Sequence, residues 1–238
     1  MNTIDRFIKE LDEKIQNKHL LKHEFYVAWS EGRLSKECLQ EYAKDYYHHV
    51  KAFPMYLSAL HSHTEDVKTR KEILKNLNEE EGGSPNHPEM WRSFAVHLGA
   101  KDIDNHTPSY EIKSLISSFK AICSKGDVAD GLSALYAYES QIPSISVSKI
   151  EGLKKYYGMK DPEQFRYFSV HIAADTEHAR VEKELLKEHI PQGNIPSALK
   201  AADRILECLW AFLTKLCHKY KITECVSEHP KRSSATAL

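Results

Sequence analysis

"FSVHIAADTEHARVEK", residues 168–183, contains no helix breaker and sets His171, Asp175 and His178 at i, i+4 and i+7. At about 100° per residue, the second and third fall ~40° ahead of and ~20° behind the first, so one narrow helical stripe carries two imidazoles and a carboxylate. Tyr167 upstream and Leu185 downstream continue that stripe, which turns it toward a core. A carboxylate buried among apolar side chains is costly unless something pairs with it. A divalent cation with neutral imidazoles completing its shell meets that need. A polar network in which Asp175 holds the histidines, or pairs with Arg180, meets it too.

Outward from this stretch, almost every segment repeats with helical period. Ile4, Phe7, Ile8, Leu11 and Ile15 form one apolar stripe. "LLKHEFYVAWSEG" continues as a second helix ending near Gly32, and Ser35 caps a long third helix with a kink expected at Pro54. A fourth runs through "DVKTRKEILKNLNEEE" to the Gly82-Gly83-Ser84-Pro85 break, and "HPEMWRSFAVHLG" forms a short fifth. Thr107 with Pro108 reads as the start of the next helix. Asp127 opens another long one, bent at Pro143. Asp161-Pro162 with Gln164 resembles a capping box opening the helix of residues 168–183. A last helix covers about residues 195–220. No alternating run rich in Val, Ile or Thr suggests a sheet. The expectation is one all-α domain, residues 1–222, a bundle of about seven to nine helices, followed by a disordered tail over 223–238.

Composition narrows the function. A formal charge of −1 gives no reason to expect nucleic acid or an anionic membrane as partner. The opening "MNTIDRFIKELDEK" is amphipathic and charged rather than a signal peptide, and no apolar run approaches the ~18–20 residues of a bilayer span. Five cysteines without a CxxC pair argue against a disulfide framework, so a cytoplasmic protein is expected.

Helical dinuclear sites use carboxylate-x-x-His pairs that project into a bundle. Asp175–His178 is one such pair. Asp45–His48 matches the spacing, but His48 points away from the Tyr42, Tyr46, His49, Phe53 face of its helix and reads as a decoy. "EEEGGSPNH" holds Glu80 and His87, seven apart, which line up if a helix continues through a kink; otherwise it is a solvated acidic helix end. "LSALYAYESQIP" places Glu139 after Tyr136, Ala137 and Tyr138, in a buried setting or paired with a lysine.

Together these pieces resemble the haem-oxygenase-like dinuclear metal oxidases. Glu80-x6-His87, Glu139 and His171-x3-Asp175-x2-His178 match that family's six-ligand pattern. The words "QNKHLLKHEFYVAWSEG", "EYAKDYYHHVKAFPMYLSALHS", "EEEGGSPNH", "ALYAYESQIPSIS" and "HIAADTEHARVEK" resemble the subgroup of the Chlamydia proteins associating with death domains (CADD), over about residues 5–190. The fold is distantly akin to pyrroloquinoline quinone synthase and thiaminase II.

The resemblance implies two metal ions, iron or an iron–manganese pair, held by three carboxylates and three imidazoles. Two divalent ions less three carboxylates leave about +1, which a bridging hydroxide neutralises. It implies O2 as co-substrate, an external reductant, and para-aminobenzoate for folate biosynthesis as product. By the subgroup's proposed chemistry, the ring comes from the protein's own Tyr26 and the amino group from Lys149, with Tyr42 and Tyr138 relaying electrons. His48, where the relatives carry an apolar residue, is a small departure.

Three other readings stand beside it. A dimetal oxidase of a diffusible small molecule would use the same ligands over many turnovers. An interaction module would bind host death-domain proteins. A metal-free relative would carry thiaminase-like or quinone-synthase-like chemistry; the thiaminase type requires a nucleophilic cysteine, and Cys38 and Cys123 lie outside any candidate cluster. A homodimer is the default assembly.

Overall fold

Amphipathic periodicity becomes helix nearly everywhere it occurs in the computed structural model, which describes residues 2–222. α1 (Thr3–Asn17) is capped by the Asn2 side chain and buries Phe7, Ile8, Leu11 and Ile15. A short 3-10 turn leads into α2 (Glu24–Ser30), and Ser35 caps α3 (Lys36–His63), which contains Pro54. Then come α4 (Val67–Glu81), α5 (His87–His97), α6 (Tyr110–Lys125), α7 (Val128–Glu139), α8 (Ile142–Tyr156), α9 (Arg166–His189) and α10 (Ile195–Tyr220). Among the described residues there is no strand. None of their helices is long and apolar enough to cross a membrane. The expected tail over 223–238 lies outside the described residues.

Three boundaries differ from the sequence expectation, each for a tertiary reason. The long helix expected from Asp127 is two helices. The chain breaks at Ser140–Gln141, and Pro143 sits in the first turn of α8 instead of bending one helix, where its missing N–H costs nothing. The Gln141 side chain at that break is buried; it accepts from Leu20 N at 2.9 Å and donates to Ala137 O. The cap of α6 is Ser109, two residues after Thr107, because the Ser109 N–H is anchored on the buried Asp45 carboxylate at 2.8 Å. Glu80 and His87 are not joined by a kinked helix: Glu80 lies in the last turn of α4, and His87 opens α5 behind an Asn86–Glu89 capping box.

α10 lies along α6 and α7, while α7 and α8 pack on α9. α3 packs on α4, α5 and α6, and the ends of α4 and α5 reach α9. α9 thus faces inward from three sides, and its stripe of His171, Asp175, His178 and Leu185 is buried. α8 approaches α2 closely at Gly152, where a Cβ would lie 2.6 Å from Trp29 Cδ1. Trp29 Nε1 then reaches the Lys149 carbonyl at 3.2 Å, which fixes the turn of α8 that carries Lys149.

Candidate metal centre

Six side chains from four helices converge at the inner face of α9. Glu80 comes from the last turn of α4, His87 from the first residue of α5, Glu139 from the last residue of α7, and His171, Asp175 and His178 from α9. They form two groups, Glu80–His87–His171 and Glu139–Asp175–His178, each with its ligand atoms within 4.8 Å of one another. All six are buried.

In the first group Glu80 Oε1 lies 2.9 Å from His87 Nδ1 and 3.8 Å from His171 Nε2. In the second, His178 Nδ1 lies 3.3 Å from Glu139 Oε1 and 3.4 Å from Asp175 Oδ1.

Hydrogen bonds behind these side chains set which imidazole nitrogen faces inward. His171 Nδ1 donates to the Tyr167 carbonyl at 2.6 Å, which leaves Nε2 with its lone pair toward Glu80. His178 Nε2 donates to Glu79 Oε2 at 2.9 Å, which leaves Nδ1 toward Glu139 and Asp175. His87 Nδ1, His178 Nδ1 and Glu139 Oε2 are buried without a hydrogen-bond partner. Buried polar atoms that converge without bonding one another fit a cation between them. Three carboxylates and three imidazoles make an N/O donor set suited to iron or manganese.

Without a cation, protons carry the balancing charge. Burial works to raise the Glu80 pKa, but the His171 and His87 imidazoles outweigh it and hold it at about 2. Burial pulls His178 down, yet Asp175 and Glu139 push it up to about 11. Asp175 is raised, by burial first and then by its neighbours Glu139 and Glu80.

Sequence reasoning missed three neighbours. Glu182 is buried one turn beyond His178, its pKa raised well above the usual carboxylate range by burial and then by Glu139. Its spacing from Asp175 (i+7) continues the stripe, so the signal was there to be read. Asn76 Nδ2 donates to Glu139 Oε1 at 3.0 Å, and Glu79 holds His178 as described. Neither residue is distinguishable in sequence from its solvated neighbours. The alternative partner Arg180 instead holds Glu177 and Glu184 on the outer surface.

The decoy pair lies elsewhere. Asp45 is buried between Ser109 N, His106 and Lys215, tying α3 to α6 and α10. His48 sits half-buried with its ring 6.0 Å from His106. Cys38, Cys123, Cys208 and Cys217 are buried free thiols.

Beside these six side chains is a column of phenols. Tyr138, Tyr167 and Phe53 line the same small cavity as Glu80, Glu139, His171 and Asp175. Tyr138 Oη lies 2.9 Å from Tyr46 Oη, and the Tyr46 ring stacks on Tyr42 with centroids 5.5 Å apart. Tyr42 Oη then meets Tyr26 Oη at 3.3 Å and accepts from Lys149 Nζ at 2.6 Å. Tyr26, Tyr42 and Tyr138 are therefore joined through Tyr46, which the sequence reading left on the helix face without a role. Burial raises the pKa of all four phenols. His49 stands edge-on to the Tyr46 and Tyr138 rings at 5.1 Å and is kept neutral by burial, its pKa pulled down to about 3.

Lys149 is not the solvated lysine that helix composition suggests. It is 4 % exposed, with Nζ 4.8 Å from the Phe168 ring centroid and 5.3 Å from that of Trp91. Burial pulls its pKa down to about 7.

Residues 40–211 match the family described as iron-containing redox enzymes. A Chlamydia trachomatis protein named 4-aminobenzoate synthase is 46 % identical over 215 residues, covering 90 % of this chain and 93 % of that one. A Chlamydia pneumoniae protein of the same name is 44 % identical over 221 residues, covering 92 % and 98 %. A Shewanella denitrificans domain of unknown function, described as having a haem-oxygenase-like fold, superposes with a TM-score of 0.73 at 18 % identity, covering 92 % of this chain and 91 % of that domain. A fold, two triads suited to a pair of metals and relatives spanning nearly the whole chain lead to one assignment: the chain belongs to the haem-oxygenase-like family of iron-containing redox enzymes.

Proposed function

We propose that this chain makes 4-aminobenzoate for folate biosynthesis by an O2-dependent reaction that consumes its own side chains, the ring coming from Tyr26 and the nitrogen from Lys149. Glu80, His87 and His171 would hold one metal and Glu139, Asp175 and His178 the other. Two bound irons, or iron with manganese, supply the capacity to reduce dioxygen with electrons from an external reductant and to oxidise a phenol.

The observation that carries the reading is the Lys149–Tyr42–Tyr26 contact, a buried amine within 2.6 Å of one phenol that lies 3.3 Å from the next. A buried phenol cannot keep the charge that loss of an electron alone would leave, so its proton must move with the electron. The Tyr138–Tyr46 hydroxyl contact offers that proton an acceptor, and the stacked Tyr46 and Tyr42 rings extend the path to Tyr26. A pKa near 7 keeps a large share of Lys149 neutral at neutral pH, with a lone pair on nitrogen.

The cavity at the metal ligands encloses ≈ 10 Å³, room for about one water-sized molecule. That favours an internal organic substrate over the diffusible one of a multiple-turnover oxidase. A cytoplasmic site of action rests on the cysteine usage and the charged opening stretch, a homodimer on the general default for assemblies, and binding of host death-domain proteins on the resemblance alone. Pull-down with purified death domains tests the last, and a ligand variant that still binds would separate it from the redox role.

The central test is rescue of a para-aminobenzoate auxotroph, with mass spectrometry of the protein after turnover. Tyr26→Phe and Lys149→Arg are each expected to abolish rescue, and the wild-type chain to yield at most a single equivalent of product with a mass loss at Tyr26. Normal rescue by both variants, or repeated turnover of an intact chain, would overturn the proposal.

A further inference from the structure

We infer that dioxygen reaches the Glu139–Asp175–His178 side of the centre through a narrow apolar cavity between α3, α4, α7 and α9, a route that rests on the function proposed above and adds to it. The cavity encloses ≈ 20 Å³ and is walled by Leu57, Leu132, Leu135 and Leu185, with Val181 completing one side. Its outer rim carries Lys75, which is exposed, and Glu72 and Glu177, which are half-buried. Its inner end carries Asn76, His178 and Glu182.

Each inner residue has a buried polar atom without a hydrogen-bond partner: Asn76 Oδ1, His178 Nδ1 and Glu182 Oε2. Of the Glu139–Asp175–His178 triad, His178 is the member that lines this cavity. His178 forms its floor, while Glu139 and Asp175 line the ≈ 10 Å³ chamber beyond. The triad thus contributes to the lining of both spaces, by different members.

Size and polarity select the occupant. The leucine walls offer no compensation to a charged solute, which would shed its hydration at a prohibitive cost. A space of this volume admits about one water-sized molecule, so an aromatic acid does not pass. Dioxygen is small and uncharged, and it partitions into hydrocarbon more readily than into water.

The test uses dioxygen as the probe. Methyl NMR of the full chain without paramagnetic metal, under dioxygen pressure, should broaden Leu132, Val181 and Leu185 more than the core methyls of Leu11 and Leu206, which lie outside the cavity. Val181→Trp fills the cavity from its partly exposed side. It should remove that broadening and slow dioxygen-dependent oxidation of the ferrous protein by about tenfold or more, with metal content unchanged. Equal broadening of cavity and core methyls overturns the route. So does a Val181→Trp protein that excludes dioxygen yet oxidises at the wild-type rate. A wild-type ferrous protein that ignores dioxygen would refute the proposed function instead, and the broadening would still decide whether the cavity admits the gas.

Discussion

Lys149 Nζ donates to the Tyr42 hydroxyl at 2.6 Å, inside a ring of aromatic side chains and away from solvent. Burial lowers its folded-state pKa to about 7, against 10.5 for an ordinary lysine. Between those values the unfolded chain holds a proton that the folded chain does not. This group therefore makes stability rise with pH across that window, by up to about 1.4 kcal/mol per pH unit, and its full penalty applies below the folded pKa. Lys149→Met should remove this slope. Paired urea melts of wild type and variant from neutral to alkaline pH isolate it, because the opposing contribution of other groups cancels in the difference. A difference independent of pH would show that the amine is solvated.

The two triads predict separable metal losses. His178→Ala removes a ligand from one group and leaves Glu80, His87 and His171 intact, so metal content should fall from about two ions per chain to about one. Binding should also release protons. The metal-free His178 pKa is raised to about 11, and an imidazole must be neutral to ligate, so apparent affinity should increase with pH through neutrality. Competition titrations at several pH values measure both effects. Affinity that is flat in wild type, or content that falls to zero in the variant, would mean that the six residues do not act as two sites.

Glu79 offers a test outside the ligand set. Its Oε2 accepts from His178 Nε2 at 2.9 Å and so keeps Nδ1 free to ligate. Glu79→Ala should weaken the second metal by ~10–100-fold, and Glu79→Gln by less, since its amide oxygen accepts the same bond. Metal titration of the two variants reads the order. Equal loss in both would assign the effect to charge rather than orientation.

The helices were legible because their apolar stripes are long and regular, and the α9 ligands because two imidazoles and a carboxylate share one stripe. What escaped was set by distant parts of the chain. Gln141 breaks α7 from α8 while its side chain is engaged by Leu20, and α6 starts at Ser109 because Asp45 waits for that N–H. Glu79 and Glu80 are identical in sequence terms, yet one orients His178 and the other faces His87. Lys149 looks like any helix lysine until Trp29, Trp91 and Phe168 close around it. Glu182 was within reach, four residues past His178, and required only that the stripe be followed one turn further.

The ≈ 10 Å³ chamber at the metal ligands has a pharmacological consequence. An antagonist shaped like an organic substrate finds no seat there. Under self-consuming chemistry, vitamin output tracks the rate at which ribosomes deliver fresh chains, and starving those chains of iron is the more direct way to stop it.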